Sequence, residues 1–237
     1  MLENFETLWR AWPRVMEGFG ITLTLTLGGA LLAFAISIGL GFLARSDRAL
    51  LRGFARVVIE FFRGTSLVVQ LFFLFFVLPL FGVTLPPVFV GILGLGLNYG
   101  AYGAEVVRGS LNAVPKAQWE ATVALSMSRT QRMWRVIFPQ AWALMIPSLN
   151  NLLILLLKGT AIVSFITIFD LTASLNKLRI DTNVFFAYTF GLLIYFALAY
   201  VLSLAMNAME AHAKHRLGRG QSLRESLRFR TPRGADS

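Results

Sequence analysis

Long stretches of this chain carry no ionisable side chain, and they predict where it crosses a membrane. The runs free of Asp, Glu, Lys and Arg are Gly18–Ala44, Gly64–Ala104, Val136–Leu157 and Thr182–Met209. A helix needs about 20 mainly apolar residues to cross the hydrocarbon core of a bilayer. The second run is long enough for two crossings, and Pro79, Gly82 and Pro86 near its middle predict the break between them.

This pattern predicts an all-α, polytopic membrane protein with about five transmembrane helices. The predicted spans are Phe19–Leu43, Thr65–Leu80, Pro87–Val107, Ala141–Phe169 and Val184–Ala208, which together make a transmembrane domain at 19–208. The fourth span is the least regular, because Pro147 and the pair Lys158-Gly159 interrupt it. Residues 1–18 are predicted to lie at the external membrane interface, where Trp9 and Trp12 are either anchors or simply exposed aromatic residues.

The amino-acid composition supports a membrane protein and excludes several kinds of chemistry. Hydrophobic residues make up 56% of the chain and charged residues 14%, whereas an average soluble domain has about 25% charged residues. The chain has no cysteine, which excludes disulfides, thiol nucleophiles and cysteine-ligated metals. Its two histidines, His212 and His215, lie in the polar tail, so we predict neither a metal site nor a cofactor.

The distribution of Lys and Arg predicts the orientation in the membrane, because basic loops remain in the cytoplasm. Basic residues collect between the first and second spans, between the third and fourth spans, and in the tail at 209–237. We therefore predict an external N-terminus and a basic cytoplasmic tail. Basic residues beside a membrane bind anionic lipid, so we expect the tail to contact membrane lipid and not nucleic acid.

The segment at 108–140 is too polar to span a membrane, but its bulky residues recur at spacings of three and four. These residues are Trp119, Val123, Met127, Thr130 and Trp134. The spacing predicts an amphipathic cytoplasmic helix or pair of helices, with Pro115 as its start and Pro139 as a stop before the fourth span. Periodicity alone leaves two interpretations equally open: a helix lying on lipid headgroups and a helix that docks a partner protein.

Two blocks within this segment have a distinctive spacing. Glu120-Ala121-Thr122-Val123-Ala124-Leu125-Ser126 is followed, nine residues later, by Val136-Ile137-Phe138-Pro139. They resemble the cytoplasmic EAA loop of ABC importer permeases, usually E-A-A-x-x-x-G and then I-x-L-P. Thr122 stands where the family usually has Ala, and Ser126 where it usually has Gly. Glycine reaches positive φ without a Cβ penalty, so the turn at Ser126 either has negative φ or is mildly strained.

Further blocks extend the resemblance in the same order along the chain. They are Glu60–Thr65 with Val69–Phe73, Ala101–Gly109 with Val114–Glu120, and Leu156–Thr160. These blocks are similar to the polar amino-acid branch of the ABC importer permeases, and the resemblance runs from about Gly18 to Met209. One more departure is Gly159-Thr160-Ala161, where Asp-Thr-Ser is common in the family after the lysine.

The resemblance implies a type I-like ABC importer permease fold, in which the loop forms a coupling helix held by a cytoplasmic ATP-binding subunit. The implied coupling residues are Glu120, Ala121, Ala124, Ser126, Arg129 and Pro139. No phosphate-binding G-x-x-x-x-G-K-[ST] motif occurs in the chain, so we expect it not to be an enzyme and place ATP hydrolysis on a separate polypeptide. The implied partners in a bacterial inner membrane are two ATP-binding subunits, a second permease, identical or paralogous, and an external solute-binding protein.

Polar residues inside the predicted spans are candidates for the transport pathway. They are Gln70, Asn98, Tyr99, Glu105, Asn150, Asn151 and Lys158. Each neutral one is explained more simply as a hydrogen-bonding contact between helices. A charged Lys158 costs about 2.5–3.5 kcal/mol at the centre of an isolated membrane helix. It therefore needs a wet cavity, a carboxylate such as Glu105, Asp170 or that of a substrate, or, more simply, a structural ion pair or snorkelling to an interface.

With the resemblance, these features predict the permease subunit of an ATP-driven importer for polar amino acids or related small zwitterions such as ectoine or opines. An ion-coupled secondary transporter is one alternative, but only Glu105 is an acidic residue within a predicted span, and five spans do not divide into equal repeats. A non-transporting membrane scaffold is the other. A scaffold would explain the spans and the basic loops but not the order of the family blocks.

Overall fold

The computed structural model describes residues 2–216, and every regular element within them is helical. The α-helices are α1 Leu2–Leu43, α2 Ala49–Gly64, α3 Leu67–Phe72, α4 Pro87–Ala113, α5 Lys116–Ala124, α6 Arg129–Gln131, α7 Phe138–Gly159, α8 Leu171–Asp181 and α9 Val184–Arg216. Short π-helical or 3-10 segments follow α3, α6 and α7. The predicted all-α fold is confirmed.

The most extensive contact in the fold joins α1 to α4. Gly96, Gly100 and Gly103 face α1, and a Cβ atom added to Gly100 would lie 2.8 Å from Ile36 Cβ. The Ser37 hydroxyl donates a hydrogen bond to the Gly100 carbonyl at 3.1 Å. Small residues let two membrane helices approach closely, so van der Waals contact and this hydrogen bond together hold α1 against α4.

The helices long and apolar enough to cross a bilayer number three within the described residues. The number rises to four if the bent pair of α2 with Leu67–Phe81 is counted as one span. α4 has 27 residues, which is about 40 Å of helix, but its glycines and polar residues lower its mean hydropathy. The predicted number of five spans therefore stays a prediction. α1 begins at Leu2, so the predicted interfacial segment at 1–18 is continuous with the first span.

A sharp bend in the chain precedes most of the second predicted span, Thr65–Leu80. α2 precedes this span and meets it at 101°. α2 packs against the bundle through Ala55 and Ile59. The large apolar residues that α2 leaves exposed are Leu50, Leu51, Phe54, Val57 and Phe61. The hydropathy pattern missed this helix because three arginines interrupt its apolar residues, although the exposed set has a regular helical spacing.

The predicted stop at Pro139 is wrong, because one helical stretch runs from Arg129 to Ile166. Arg132–Ile137 forms a π-helical turn that ends two residues before this proline. Proline lacks an N–H, and its ring clashes with the carbonyl four residues earlier. The wider turn accommodates both effects without ending the helix. Phe73–Val77 is a second π-helical turn, and it likewise ends two residues before a proline, Pro79.

Two interruptions were predicted in the fourth span, at Pro147 and at the pair Lys158-Gly159, and the structure has one only at the second. Pro147 lies inside α7 and does not end it. α7 ends at Gly159, and the chain continues as a 3-10 helix over Thr160–Ile166. A Cβ atom added to Gly159 would lie 2.7 Å from the Tyr99 hydroxyl oxygen. The pair Lys158-Gly159 therefore marks a change of helix type where α7 packs closely on α4.

α8 packs along the N-terminal half of α1 and connects the end of α7 to α9. The Leu171 N–H donates to Thr22 Oγ1 at 3.0 Å, and Asp170 Oδ1 caps α8 by accepting from the Ala173 N–H at 2.9 Å. The apolar residues buried between these helices are Leu8, Ala11, Val15, Leu171, Leu175, Leu178 and Ala187. The first part of α1 is thus fixed to α8 as well as to α4.

α9 includes the start of the predicted basic tail. Lys214 forms an ion pair with Glu210 one turn earlier in this helix. The rest of the tail, 217–237, lies outside the described residues. Its predicted contact with membrane lipid therefore stays a prediction.

We expect Gly100→Ala to destabilise the protein, because the new Cβ would overpack against Ile36 where α1 and α4 are closest. Overpacking of this kind costs about 1–3 kcal/mol. Gly109→Ala is the matched control in the same helix, since a Cβ there would have no atom within 4 Å, and better helix propensity should stabilise it by about 0.5–1 kcal/mol. Thermal unfolding in detergent measures both variants, and equal midpoints would contradict the packing argument.

Candidate functional site

The segment at 108–140 forms a pair of short helices that connects α4 to the stretch continuing into α7. α5 starts directly after Pro115, as predicted. A capping box starts α6: the Gln131 N–H donates to Ser128 Oγ at 3.3 Å, and the Ser128 N–H donates to Gln131 Oε1 at 3.1 Å. The periodicity of the sequence is therefore explained by two helices and not by one.

Most residues of the α5 motif are open to the surroundings. Thr122 is 2% exposed, and its hydroxyl donates to the Trp119 carbonyl at 2.7 Å. The exposed residues between Glu120 and Leu125 are Glu120, Ala121, Val123, Ala124 and Leu125. We call these five residues the docking face. Lys116 and Ala117, in the first turn of α5, are exposed as well. Thr122, where the sequence departs from the usual alanine, is thus the residue that anchors α5 from beneath.

The turn after α5 is strained at Ser126. The sequence left open whether Ser126 has negative φ or is mildly strained, and the second alternative is the one found. Ser126 has φ of 54°, in the left-handed region. The Met127 N–H donates to the Thr122 carbonyl at 3.1 Å and the Ser126 N–H to the Val123 carbonyl at 2.8 Å. This pair of bonds is the Schellman motif, in which glycine usually occupies the left-handed position. Thr167 also has a positive φ, 65°, which the sequence analysis did not foresee.

We call residues 116–137, which contain α5, α6 and the π-helical turn after α6, the coupling segment, after the role that the resemblance implies. Three side-chain contacts hold it to the residues around it. The Arg45 guanidinium lies 5.4 Å from the centre of the Trp119 ring. Gln140 Nε2 donates to Gln118 Oε1 at 3.2 Å. Asp47 and Arg129 form an ion pair at 3.1 Å.

The first and third of these contacts differ in strength. The side chains of Arg129 and Asp47 are 90% and 88% exposed, so their ion pair stabilises little. Burial, and then the nearby Arg108 guanidinium, lower the pKa of Arg45. Arginine nevertheless stays charged at neutral pH. The Arg45 cation therefore remains attracted to the face of the Trp119 ring, and partial burial strengthens that attraction.

The structure brings together two of the predicted pathway residues, Gln70 and Asn98. Asn98 Nδ2 donates to Gln70 Oε1 at 3.3 Å and to the Phe62 carbonyl at 3.0 Å. Gln70 Nε2 also donates to the Phe62 carbonyl, at 3.0 Å, and to Thr65 Oγ1 at 2.7 Å. Carbonyls at the end of a helix lack helical donors. Both amides therefore donate to acceptors at the bend after α2. This is a contact between helices and not the binding of a solute.

Two further candidates are already bonded within the chain. The Tyr99 hydroxyl donates to the Leu155 carbonyl at 2.9 Å, and the Glu105 carboxylate pairs with Arg108 at 2.6 Å. Asp170 caps α8. The two carboxylates suggested as ion-pair partners for Lys158 are therefore engaged elsewhere. Lys158 is exposed and forms no ion pair within residues 2–216.

The remaining candidates lie on α7 with Lys158. Asn151 and Lys158 are seven residues apart, which places them on one face of the helix. The exposed residues of that face are Leu144, Pro147, Ser148, Asn151, Leu155 and Lys158. We call it the open face of α7. Asn150 lies beside it, and its Oδ1 is buried without a hydrogen bond from the described part of the chain.

A cavity of about 320 Å³ between α1, α7 and α9 does not have the chemistry of a polar-solute site. Leu, Ala, Phe and Met side chains make most of its lining. Its hydroxyls are bonded internally, Tyr99 to the Leu155 carbonyl and Ser37 to the Ala33 and Gly100 carbonyls. An amino acid placed there would leave its own charges unpaired, which is strongly unfavourable.

Asp170, which the sequence suggested only as an ion-pair partner of Lys158, is a buried acidic residue. It is 0% exposed, and its Oδ2 is buried without a hydrogen-bond partner among the described residues. Burial raises the pKa of this carboxyl. Its role as the N-cap of α8 could have been predicted from the sequence. Asp170 directly follows an apolar run and precedes Leu171-Thr172-Ala173, which is an N-cap pattern.

A comparison with protein families explains why these features occur together. The model for the binding-protein-dependent transport system inner membrane component matches residues 35–215. The chain belongs to this family. The matched range includes Arg45, the docking face and the open face of α7.

Curated relatives of this permease have similar lengths. A probable amino-acid ABC transporter permease protein, y4tF, of Sinorhizobium fredii is 46% identical over 82% of this chain and 85% of its own. The L-cystine transport system permease protein TcyB of Bacillus subtilis is 33% identical over 84% of this chain and 86% of its own. The resemblance to ABC importer permeases drawn from the sequence blocks is confirmed.

Solved structures agree with the fold. A crystal structure of an amino acid ABC transporter with histidines has a TM-score of 0.79 and 31% identity, covering 87% of this chain and 97% of that chain. An inward-facing MetNI methionine ABC transporter has a TM-score of 0.71 at 17% identity, covering 84% and 95%. The second likeness concerns the fold alone. The permease therefore has the type I ABC importer fold that was predicted.

We expect Ser126→Gly to stabilise the permease slightly. A non-glycine residue in the left-handed region costs about 1–2 kcal/mol, while glycine loses about 0.5–1 kcal/mol more backbone entropy on folding. The net gain should be about 0.5 kcal/mol, with assembly and transport unchanged. Ser128→Gly is the contrasting variant, because it removes the cap of α6. A lower unfolding temperature for Ser126→Gly than for the native permease would contradict the strain at this turn.

Proposed function

We propose that this permease is the membrane subunit of an ATP-driven importer for polar amino acids or related small zwitterions, including ectoine-like and opine-like solutes. The names of its relatives as amino-acid and cystine permeases support this solute class. ATP hydrolysis belongs to separate ATP-binding subunits, since the chain has no phosphate-binding motif of its own. The permease converts closure of those subunits into a change of access to the solute.

The docking face is the observation that carries this proposal. A helix lying on anionic headgroups exposes a row of basic residues, whereas the only basic residue that α5 exposes is Lys116, at its first position. The docking face itself presents Glu120, two alanines, Val123 and Leu125. Val123 and Leu125 are 55% and 74% exposed. Exposed apolar side chains beside small residues and one carboxylate match a protein partner with a basic rim. This favours docking over lipid contact for α5.

Two other implied coupling residues have different roles in this proposal. Arg129 pairs weakly with Asp47 and stays exposed, so an acidic group of the ATP-binding subunit can reach it. Pro139 lies beyond the π-helical turn and sets the geometry of the helix that leads into α7. The docking face therefore makes the contact, and Pro139 shapes its connection to the membrane.

The open face of α7 supports a solute pathway. Ser148, Asn151 and Lys158 would be costly against lipid within a membrane helix. A water-filled path completed by a second permease, identical or paralogous, removes that cost. Lys158 then meets the carboxylate of a zwitterionic solute as a charge-assisted hydrogen bond. Gln70, Asn98, Tyr99 and Glu105 contribute by holding the helices around the path in position.

The proposed orientation follows from the basic loops. Residues 1–18 and α8 are external, while α5 and the basic tail at 209–237 are cytoplasmic, in a bacterial inner membrane. An external solute-binding protein delivers the solute on the α8 side. One ATP-binding subunit binds beneath α5 of this permease, and another binds beneath the corresponding helix of the second permease.

We expect Glu120→Lys and Ala121→Trp to uncouple ATP hydrolysis from uptake, because one reverses the charge of the docking face and the other blocks close approach. Loss of a buried charged contact costs about 2–5 kcal/mol, so association with the ATP-binding subunit should weaken at least tenfold. Co-purification of the complex and solute uptake into vesicles measure the two effects. Glu17→Lys is the charge-matched control, since Glu17 is exposed on α1 far along the chain from α5.

One result would contradict the docking proposal. It is that Glu120→Lys and Ala121→Trp both insert normally and support uptake at the native rate. In that case α5 does not meet the ATP-binding subunit. The alternative of a helix on lipid headgroups would take its place.

We expect Lys158→Met to reduce uptake by about 10- to 100-fold, the factor that corresponds to losing a charged hydrogen bond of about 1.5–3 kcal/mol. Assembly and thermal stability should not fall, because Lys158 has no ion-pair partner among the described residues. Lys177→Met on α8 is the control for loss of one exposed lysine. Native uptake in Lys158→Met would leave snorkelling to an interface as the explanation for this residue.

A further inference from the structure

α1 makes contacts at both of its ends with elements that have different roles in the proposed transport cycle. Its C-terminal end and the short loop after it touch the coupling segment, and its N-terminal half touches α8. From Thr22 to Leu43 the helix extends about 32 Å at 1.5 Å per residue. This is close to the hydrocarbon thickness of a bilayer, about 30 Å. The two sets of contacts therefore lie on opposite sides of the membrane.

The inner contact consists of aromatic and charged side chains. Arg45, two residues after α1, lies over the Trp119 ring of α5 at 5.4 Å. Phe42 packs against Trp134 with 6.0 Å between ring centres, in the same apolar cluster as Trp119. The exposed ion pair between Asp47 and Arg129 adds little to this contact. Through Phe42 and Arg45, a movement of the coupling segment moves the end of α1 with it.

The outer contact depends on close backbone approach. A Cβ atom added to Gly18 would lie 2.2 Å from Ser174 Oγ and 2.7 Å from the Asp170 carbonyl oxygen. The Ser174 hydroxyl also donates to the Arg14 carbonyl at 3.3 Å, and the first N–H of α8, on Leu171, donates to the Thr22 hydroxyl. α8 is therefore fixed to α1 at the position of Gly18.

The part of α1 between these contacts resists bending. Gly96, Gly100 and Gly103 of α4 press against it over nearly two turns, and closely packed helices have low compressibility. Residues 18–44 contain no proline, and their glycine pair, Gly28-Gly29, is packed against Ile92 and Leu95 of α4. A displacement at one end is therefore carried to the other.

We propose that α1 connects the coupling segment mechanically to the external helix α8, with Arg45 as the residue that positions its inner end. ATP-driven movement of α5 reaches α8 through α1, and occupancy of the external side reaches α5 by the same route, because coupling between two sites is reciprocal. This inference rests on the proposed coupling function. It adds a route besides the direct connections of α5 to α4 and α7.

The test uses the complete transporter in lipid vesicles, with its ATP-binding subunits and solute-binding protein. The measured quantity is the fold-stimulation of ATP hydrolysis by the solute-loaded binding protein. We expect Arg45→Met and Gly18→Ala each to lower the stimulation about threefold or more. Arg48→Met and Gly20→Ala are the matched controls, because Arg48 is exposed and a Cβ on Gly20 would have no atom within 4 Å.

The double variant separates one connected route from two local effects. If α1 carries the signal, Arg45→Met combined with Gly18→Ala loses no more stimulation than the more severe single variant. Arg45→Lys should restore part of the stimulation, since a lysine cation also interacts with an aromatic face. If Gly18→Ala fails to accumulate, Thr22→Val replaces it, because it keeps the shape and removes the hydroxyl that accepts from Leu171.

Native stimulation in Arg45→Met, multiplicative losses in the double variant, or an equal loss in Arg48→Met would each overturn the inference. Glu120→Lys in the same assay distinguishes this failure from a failure of the proposed function. Normal stimulation in Glu120→Lys would overturn docking itself. Loss of stimulation in Glu120→Lys with native behaviour in Arg45→Met would overturn only the role of α1.

Discussion

The close approach of α1 and α4 determines most of the architecture. Apolar side chains gain little by exchanging lipid for one another inside a membrane, so tight van der Waals packing and interhelical hydrogen bonds must hold the helices. Glycines at three positions of α4 create that packing, and Ser37 adds a bond to the Gly100 carbonyl. With α1 fixed along α4, its N-terminal half lies beside α8 and its C-terminal end beside α5. The packing of α1 on α4 thereby places the contacts with α8 and with α5 at opposite ends of the same helix.

The coupling segment is stable without being rigidly buried. α5 has nine residues, and isolated helices shorter than about 12–15 residues are marginal in water. Thr122 beneath it, the Schellman turn after it and the contacts of Trp119 and Gln118 hold it in place. Its outward side chains form no ion pair or side-chain hydrogen bond with the described part of the chain. An element that is held from one side and open on the other fits a role in which a partner protein completes it.

The sequence predicts the parts of the fold that depend on hydropathy and on local capping. Charge-free runs locate α1, α4, α7 and α9, because burial in lipid excludes unpaired charges. The pair of helices in the coupling segment follows from periodicity. Pro139 is misread because a π-helical turn removes a clash that ends an ordinary α-helix, and hydropathy carries no signal for such a turn. α2 is missed because arginines on one side of a helix resemble a polar loop in a linear reading.

The candidate site is predicted less completely, because the function of a polar residue in a membrane depends on which hydrogen bonds its neighbours have already used. From the sequence, Gln70 and Asn98 could be solute ligands or, more simply, contacts between helices. In the structure their amides satisfy carbonyls at the bend after α2. Glu105 is engaged by Arg108, one helical turn away. Asn151 and Lys158 differ because they share a face of α7 that no element of the described chain covers. A polar face left open in a membrane must be completed by water, solute or a second subunit, since lipid can satisfy none of its donors. The proposed pathway therefore follows from which polar groups remain unused, and three-dimensional structure was needed to identify them.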